Sequence, residues 1–466
     1  MAALVTRPFV ALGLVHLTML AWRLPLVDRL PGWVFVTHPK PVGAGWWCVL
    51  ALLAAATGGL AYACRRRAWA LLLALVVGGT LFQHALAWSE CRGLDGMRER
   101  IVRSGHAELA DVAVAQRSLW MVASRYEQKV QGGELGRYAH SKPPGTLLAY
   151  MATERLSRRF AADDTPAARR AALTTTAALL WPLVSYLVLL PLYAVVSRLC
   201  GTGTALLACA SYLVVPSGAL ITLHTDQFLF PWLGMTAVWM GQESVLRRSL
   251  AWAFAAGAWL WCTGFFTFPL LLLAPVVAAV MWSTSDTPGG TTRVLTPVRW
   301  AAMTTAVAGG VLLGFVVFRW GLGYDLFARL ADARQFNAAW KGWDGGAFQT
   351  LYFAWMNLLE FGLWVGIPLA LLTAGRAGRA LREAAAGRWA PLTVPSAAVV
   401  AVVGYVAFFG QAKGETARLW LFLVPWCSTL AADELAAGGD TSVAAAAVLF
   451  LQWMTVVLTK AGQDFF

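Results

Sequence analysis

The sequence predicts an all-α protein that crosses a membrane many times. Of its 466 residues, 59% are hydrophobic and 13% are charged, and the mean hydropathy is +0.61. Soluble domains carry about 25% charged residues. Apolar runs close to the roughly 20 residues that an α-helix needs to span a bilayer recur along the chain. These observations exclude a soluble globular protein.

The apolar runs predict about thirteen transmembrane helices. They are expected near residues 8–25, 45–64, 69–88, 172–197, 203–220, 226–241, 250–264, 266–282, 300–318, 350–372, 394–410, 417–434 and 442–459. The first run lacks a small-residue cleavage site and is therefore expected to be a retained span. A large extracytoplasmic loop containing amphipathic helices completes the predicted architecture.

The basic residues predict the orientation of the chain. The net charge is +13, and the arginines cluster in short loops at 65–67, 247–248 and 376–388. All three clusters fall on the same side, which the positive-inside rule makes cytoplasmic. We therefore expect a plasma-membrane protein with a cytoplasmic N-terminus and an extracytoplasmic loop at 89–171. This pattern accounts for the charge better than nucleic-acid binding does.

The long outer loop contains a Pro-Pro-Gly turn. Two prolines fix φ and the glycine permits a positive φ, so Pro143 to Gly145 is expected to aim the preceding His140 and Lys142 in one direction. A helix is expected from Thr146 to Leu156. A Lys and a His at a rigid turn suit a phosphate or pyrophosphate, and lipid headgroups are an equally good alternative.

Two other outer segments have the helical periodicity of amphipathic helices. Residues 106–130 are expected to form one helix along the membrane surface. Residues 324–343 have the same character, with Trp340 and Trp343 as interfacial anchors.

Acidic residues follow the third span. Asp95 lies between Gly93 and Gly96, in a segment expected to be flexible enough to present a carboxylate to a membrane-embedded substrate. Glu99 and Asp111 follow it. For any one of these residues a solvated polar loop is the favoured interpretation, whereas the group as a whole favours a function.

Two more polar groups lie where spans begin on the outer side. His224 and Asp226 are costly beside an apolar helix unless they are paired, although Asp226 can simply cap that helix. Glu415 and Arg418 are three residues apart and can form an ion pair, which leaves Lys413 uncompensated. A lipid phosphate is the natural partner for Lys413 and Arg418.

These motifs together resemble the C-type glycosyltransferases (GT-C), which are integral membrane enzymes that use polyprenyl-phosphate-linked sugars. His-Ser-Lys-Pro-Pro-Gly at 140–145 is similar to the family's His/Asp-x-Pro-Pro turn with one residue inserted. Asp226 is similar to the acidic residue that opens a mid-chain span, and residues 357–361 and 413–420 resemble segments of a bacterial branch. The family includes the protein O-mannosyltransferase and aminoarabinose transferase groups.

The resemblance implies inverting transfer of a hexosyl or pentosyl group on the extracytoplasmic face. It implies a catalytic carboxylate, Asp95, with Glu99 and Asp111 as rivals, since no Asp-Asp or Asp-Glu pair follows the aligned span. Taken with the polar groups above, it predicts substrate binding by Tyr138, His140, Lys142, His224, Asp226, Lys413, Glu415 and Arg418.

The implied organisation is an N-terminal helical segment, 1–68, a GT-C-like catalytic module, 69–460, and a tail, 461–466. The implied partners are a lipid-linked sugar donor, membrane lipids and a glycan, lipid or protein acceptor, without nucleic acid. The seven cysteines include no CxxC pair. A divalent cation near Asp95 is compatible with the chemistry, but no ligand spacing indicates one.

A polytopic transporter or lipid flippase is the main alternative, and a non-catalytic scaffold is a third. Transport folds often carry charges within their spans and a repeat between the two halves of the chain. The predicted spans have no charge at their centres, and the sequence has no such repeat. A membrane enzyme is therefore favoured.

Overall fold

A computed structural model describes residues 2–22, 24, 27–38, 42–64, 67–103, 107–221, 227–285, 296–438 and 441–462. Within these ranges every regular element is a helix. The all-α fold class predicted from the sequence is confirmed.

In the first half of the chain, three long helices come first, and a segment of shorter helices follows them. The elements are α1 (Ala2–Ala21), α2 (Ala44–Cys64), α3 (Ala68–Trp88), α4 (Gly93–Arg103), α5 (Ala107–Ala115), α6 (Leu119–Ser124), α7 (Tyr126–Gln131), a 3-10 helix (Arg137–Ser141) and α8 (Gly145–Ser157). Four more helices follow, α9 (Pro166–Tyr186), α10 (Leu189–Cys200), α11 (Thr202–Leu213) and α12 (Phe230–Leu246).

The second half continues the bundle. Its elements are α13 (Leu250–Phe266), a 3-10 helix (Phe268–Leu273), α14 (Ala274–Ser285), α15 (Pro297–Val316), α16 (Leu326–Trp340), α17 (Ala347–Val365), α18 (Ile367–Ala385), α19 (Thr393–Phe409), α20 (Thr416–Leu419), α21 (Val424–Ala437) and α22 (Thr441–Gly462).

The described residues include six helices that are long and apolar enough to cross a membrane, or seven if α17 and α18 form one bent span. Four shorter apolar helices lie in α1, α11, α13 and α19. The chain is therefore a multi-pass membrane protein by length and composition. The expected count of about thirteen spans is not confirmed.

The apolar run at 350–372 does not form the single straight helix that we expected. The chain bends by 116° between α17 and α18, and Gly366 separates them with a φ of 94°. A positive φ ends a right-handed helix, and Pro368 then lies in the first turn of α18, where a proline is tolerated. Hydropathy detects the apolar run but does not detect the bend.

The prediction of one continuous helix over 106–130 is also wrong. The described part of this segment, from residue 107, forms three short helices, α5, α6 and α7. The Ser118 hydroxyl accepts a hydrogen bond from the Met121 amide and caps α6. α5 is buried rather than laid along the membrane surface, with Leu109 2% exposed and Ala113 fully buried. Together with α4, α8 and α9 these short helices enclose an apolar core of their own. The described part of the predicted outer loop, 89–171, is thus a packed unit.

A network of charged side chains lies where α18 meets α21. Arg376 is 1% exposed, and its guanidinium contacts Asp433 at 2.6 Å and Glu383 at 3.4 Å. Arg379 contacts Asp433 at 3.0 Å and Glu434 at 2.9 Å. The first residue of α19, Thr393, donates its hydroxyl to Glu383 at 2.6 Å. α19 therefore starts at this network.

Candidate functional site

A cavity of about 270 Å³ lies at the opposite end of α19. The Pro-Pro-Gly turn, one face of α16 and the segment 411–420 form its polar side, and α13, the 3-10 helix after it and α19 form its apolar side. Segments far apart in the sequence thus meet at one site.

Four cationic side chains line this cavity, and within the described residues Glu415 is the one carboxylate that lines it. The cations are Lys142, Arg334, Lys341 and Arg418. An Arg418 guanidinium nitrogen lies 2.7 Å from Glu415 Oε2, and Lys341 Nζ lies 3.9 Å from the same oxygen. The cavity has an excess of positive charge, so an anionic group suits it.

Glu415 and Lys341 have shifted pKa values. Burial raises the pKa of the Glu415 carboxyl, but Arg418, Lys341 and Lys142 outweigh burial and hold that pKa below its usual range. Burial also lowers the pKa of the Lys341 ammonium, and the nearby Glu415 carboxylate only partly offsets this. Glu415 is therefore ionised at neutral pH, and Lys341 loses its proton more readily than an ordinary lysine.

The opposite wall of the cavity is apolar. Phe266, Phe268 and Leu272 face it from one side, and Val406 and Phe409 of α19 face it from the other. Phe409 is 61% exposed, so the apolar wall continues to the outside of the helix bundle. A molecule with an anionic head and an apolar chain matches both walls.

The turn that carries Lys142 is held by two residues of the outer loop. The Glu108 carboxylate accepts hydrogen bonds from the backbone amides of Arg137 at 2.9 Å and Tyr138 at 3.3 Å. The Tyr126 hydroxyl lies 3.0 Å from the Lys142 carbonyl oxygen. Gly136 has a φ of 74°, and a Cβ there would lie 2.1 Å from Glu108, so a side chain at this position would displace the carboxylate.

Gly145 is needed for a different reason from the one that the sequence suggested. Its φ is not positive, since α8 begins at this residue directly after Pro144. A Cβ at Gly145 would lie 2.6 Å from the Phe265 carbonyl oxygen, so the glycine allows the turn to pack against α13. The Thr146 hydroxyl also donates to the Phe266 carbonyl at 3.2 Å. The helix expected from Thr146 to Leu156 is present as α8.

Of the residues that the sequence predicted for the substrate site, the structure brings four to the cavity. These are Tyr138, Lys142, Glu415 and Arg418. His140 is not among the lining residues and stacks on Phe336 of α16, with 5.3 Å between the ring centroids. His224 and Asp226 lie outside the described residues, and the next residue, Gln227, lines the cavity.

The expectation that Lys413 is uncompensated is wrong. Its ammonium donates to the carbonyl oxygens of Lys341 at 2.6 Å and Gly342 at 2.7 Å, just past the end of α16. It also lies 5.1 Å from the centre of the Phe353 ring. A lysine satisfies carbonyls at a helix C-terminus well, and backbone partners cannot be inferred from a list of side chains.

The three predicted catalytic carboxylates lie on the outer-loop unit and are not among the residues that line the cavity. Asp95 occupies the first turn of α4 rather than a flexible segment, is 87% exposed, and lies 3.2 Å from Arg98. Glu99 pairs with Arg92, and Asp111 lies 3.1 Å from Arg170. α4 forms because Met97 and Ile101, four residues apart, are both fully buried.

The sequence interpretation missed the contribution of α16. Arg334, Asn337 and Lys341 all line the cavity. They are spaced by three and four residues, which places them on one helix face, and this spacing is visible in the sequence. The sequence predicts an amphipathic helix here with Trp340 and Trp343 as interfacial anchors, but it gives the polar face no role in the site.

No group of three or more His, Cys, Asp or Glu side chains suited to a metal ion occurs in the part of the chain that the structure describes.

No protein-family model and no curated protein matches the chain. Solved structures of the oligosaccharyltransferase AglB from the archaeon Archaeoglobus fulgidus do match it. The complex with an inhibitory peptide and a dolichol-phosphate matches over 86% of this chain and 56% of that chain, with 11% identity and a TM-score of 0.48. The apo form matches over 84% and 56%, with 12% identity and a TM-score of 0.47.

A third structure of the same enzyme, with Zn and sulfate, matches over 70% of this chain and 45% of that chain, with 14% identity and a TM-score of 0.40. This chain thus spans about half the length of the solved chains that it matches. They belong to a GT-C-type membrane glycosyltransferase, the class that the sequence motifs resemble.

Proposed function

We propose that this protein is a membrane glycosyltransferase that moves a sugar from a polyprenyl-phosphate carrier to an acceptor on the extracytoplasmic face. The observation that carries the proposal is one cavity in which four cationic side chains face an apolar wall. A polyprenyl phosphate has the complementary chemistry, because an anionic head is attached to an apolar chain. The motifs shared with the C-type glycosyltransferases support the same class of donor.

The cations bind and stabilise the phosphate in this proposal. Arg418 presents a planar guanidinium that can donate two parallel hydrogen bonds to phosphate oxygens, and Lys142 and Lys341 add positive charge. Negative charge builds up on the phosphate oxygen as the bond to the sugar breaks. Fixed donors at that oxygen lower the barrier more than they stabilise the bound donor.

The reaction is a single displacement. The acceptor hydroxyl or amine attacks the anomeric carbon, the bond from that carbon to the phosphate oxygen breaks, and the polyprenyl phosphate leaves with the electron pair. A carboxylate takes the acceptor proton. Attack opposite the leaving group inverts the anomeric centre, and the transferred group is a hexose or a pentose.

Glu415 is favoured as the carboxylate because it is ionised and lines the cavity. The sequence assigned this role to Asp95, with Glu99 and Asp111 as rivals, and one pair of variants separates the two assignments. Glu415→Gln should abolish transfer, and Asp95→Asn should retain it. Loss of transfer in Asp95→Asn with donor binding intact would return the role to Asp95.

The function is tested with purified protein in lipid nanodiscs. Polyprenyl-phosphate hexoses and pentoses serve as donors, and both released polyprenyl phosphate and glycosylated acceptor are measured. Arg418→Gln should lower kcat/KM by at least about 30-fold, because a charge-assisted contact in the transition state is worth roughly 2 kcal/mol. Arg125→Gln is the control, since Arg125 is an exposed arginine between α6 and α7 that does not line the cavity.

Two results would contradict the proposal. Full sugar transfer by Arg418→Gln would show that the cavity is not the site of the reaction. Movement of lipid or solute across vesicles by wild-type protein, without any sugar transfer, would establish the transporter or flippase instead. The anomeric configuration of the product tests inversion.

A further inference from the structure

The segment that carries Glu415 and Arg418 to the cavity is held by two buried side chains of α17. Asn357, which is 1% exposed, donates to the Ala412 carbonyl at 2.8 Å and accepts from the Gly414 amide at 3.2 Å. Both bonds run from one side chain to the backbone of the turn. Asn357 therefore fixes the path of residues 412–414.

Glu360 holds the other half of the turn. It is fully buried, and its Oε1 lies 3.0 Å from both the Thr416 hydroxyl and the Ala417 amide. The Thr416 hydroxyl also lies 3.1 Å from the Asn357 carbonyl oxygen. Since α20 begins at Thr416, these contacts fix the start of the short helix that bears Arg418.

The backbone between these two anchors is in an uncommon conformation. Gly414 has a φ of 73° and Glu415 has a φ of 65°, so two consecutive residues are left-handed. For a residue with a Cβ, such as Glu415, this conformation persists only when surrounding contacts determine it. The hydrogen bonds of Asn357 and Glu360 lie on both sides of this strained step.

We propose that Asn357, Glu360 and Thr416 are positioning residues for the cavity, which keep the turn in the conformation that presents Glu415 and Arg418. None of the three lines the cavity, so they act through the turn. This inference rests on the proposed function, because it assumes that the presented groups bind a lipid phosphate. Weaker anchoring lowers the fraction of molecules with a competent turn, and the apparent affinity falls by the same factor.

Thr416→Val and Thr416→Ser provide a matched pair. Valine keeps the branched shape and removes the hydroxyl, whereas serine keeps the hydroxyl. Two quantities are measured on full-length protein in nanodiscs: the Kd for farnesyl phosphate, and amide hydrogen exchange of peptides covering 411–420. Thr416→Val should raise the Kd at least about five-fold and speed exchange in these peptides. Thr416→Ser should stay within about two-fold of wild type.

Glu360→Gln and Glu360→Leu form a second matched pair, and hydrogen exchange far from the turn controls for a general loss of folding. Glutamine keeps an oxygen that can accept both bonds, so its exchange and affinity should be close to wild type, whereas leucine should behave like Thr416→Val. Exchange in peptides of α9, distant from the turn, should be unchanged in all four variants. A global change in exchange would assign these residues to overall stability and would overturn the inference.

The two measurements distinguish a failure of the positioning role from a failure of the proposed lipid-phosphate site. Wild-type protein that does not bind farnesyl phosphate would refute the lipid-phosphate site, whatever the exchange shows. Binding by wild type together with unchanged exchange and affinity in Thr416→Val would refute the positioning role alone. Faster exchange with unchanged affinity would also refute it, because the turn would then not control the site.

Discussion

Lys341 is expected to make anion binding in the cavity depend on pH. Its pKa is lowered, chiefly by burial, so it loses its charge at a lower pH than an ordinary lysine does. Since the charged form binds phosphate, affinity for farnesyl phosphate should fall as pH rises through this lowered pKa. Lys341→Arg should remove this step, because a guanidinium stays protonated over the whole range.

The measurement is a series of binding isotherms from pH 7 to pH 10 at constant ionic strength. Glu415 does not contribute to this fall, because its pKa lies below the usual range and the carboxylate is already ionised at pH 7. Identical pH profiles for wild type and Lys341→Arg would show that Lys341 is not a phosphate contact.

At the residue scale, the sequence located part of the site because charges beside apolar spans are unusual and need a partner. Glu415 and Arg418 were found in this way, whereas Lys142 was found because it precedes the rigid Pro-Pro-Gly turn. Lys413 satisfied the same criterion, yet its partners are two backbone carbonyls, which have no signature in the sequence. Arg334 was missed for the opposite reason, since a charge on the polar face of an amphipathic helix is expected to meet water.

At the scale of an element, the Pro-Pro-Gly turn depends on its contact with α13. Gly145→Ala would place a Cβ 2.6 Å from the Phe265 carbonyl oxygen and 2.9 Å from the Phe266 Cα, and these backbone atoms leave little room to relax. We expect a loss of about 1–3 kcal/mol in stability, which is the usual cost of overpacking. Thermal unfolding in detergent should show a lower Tm, and farnesyl phosphate binding should weaken because Lys142 shifts with the turn.

Gly203→Ala is the control for this substitution. It lies in α11, and apart from its chain neighbours and the backbone of its own helix, no atom lies within 4 Å of the Cβ that it would gain. Alanine in a helix is favoured over glycine, so the Tm should stay constant or rise slightly. A Gly145→Ala protein as stable as the control would indicate that the turn does not need its close approach to α13.

Hydropathy also determines which helices can be predicted from the sequence and which cannot. Apolar runs gave the positions of α2, α3 and α15 because hydropathy reports composition over a whole helix. It does not report continuity, so the bend at Gly366 and the Ser118 cap inside 106–130 were both missed. A glycine or serine within a periodic run is compatible with a continuous helix and with a break, and packing decides between them.

At the scale of the whole molecule, α19 runs from the charged network at α18 and α21 to the cavity. It begins at Thr393, which contacts the Arg376 and Glu383 network, and ends at Phe409, which lines the cavity. Its 17 residues span about 25 Å, close to the roughly 30 Å of a bilayer's hydrocarbon core. We therefore predict that the network and the cavity lie on opposite faces of a membrane.

The orientation predicted from the arginines can be tested by cysteine labelling. The same experiment tests on which side of the membrane the cavity lies. If the arginine-rich segment 376–388 is cytoplasmic, the cavity and the outer loop that carries Lys142 must be extracytoplasmic. Cysteine is introduced at Ala162 of the outer loop and at Ala386 beside the network, both of which are exposed. The seven native cysteines are first replaced by serine or alanine.

A membrane-impermeant maleimide added to intact cells should label Ala162→Cys and should label Ala386→Cys only after the membrane is opened. The physical reason is that cytoplasmic loops retain Arg and Lys, whereas a loop longer than about 60 residues crosses largely regardless of its charge. The reverse labelling pattern would place the cavity in the cytoplasm and would rule out sugar transfer on the outer face. Labelling of both positions in intact cells would show that α19 does not separate two sides of the membrane.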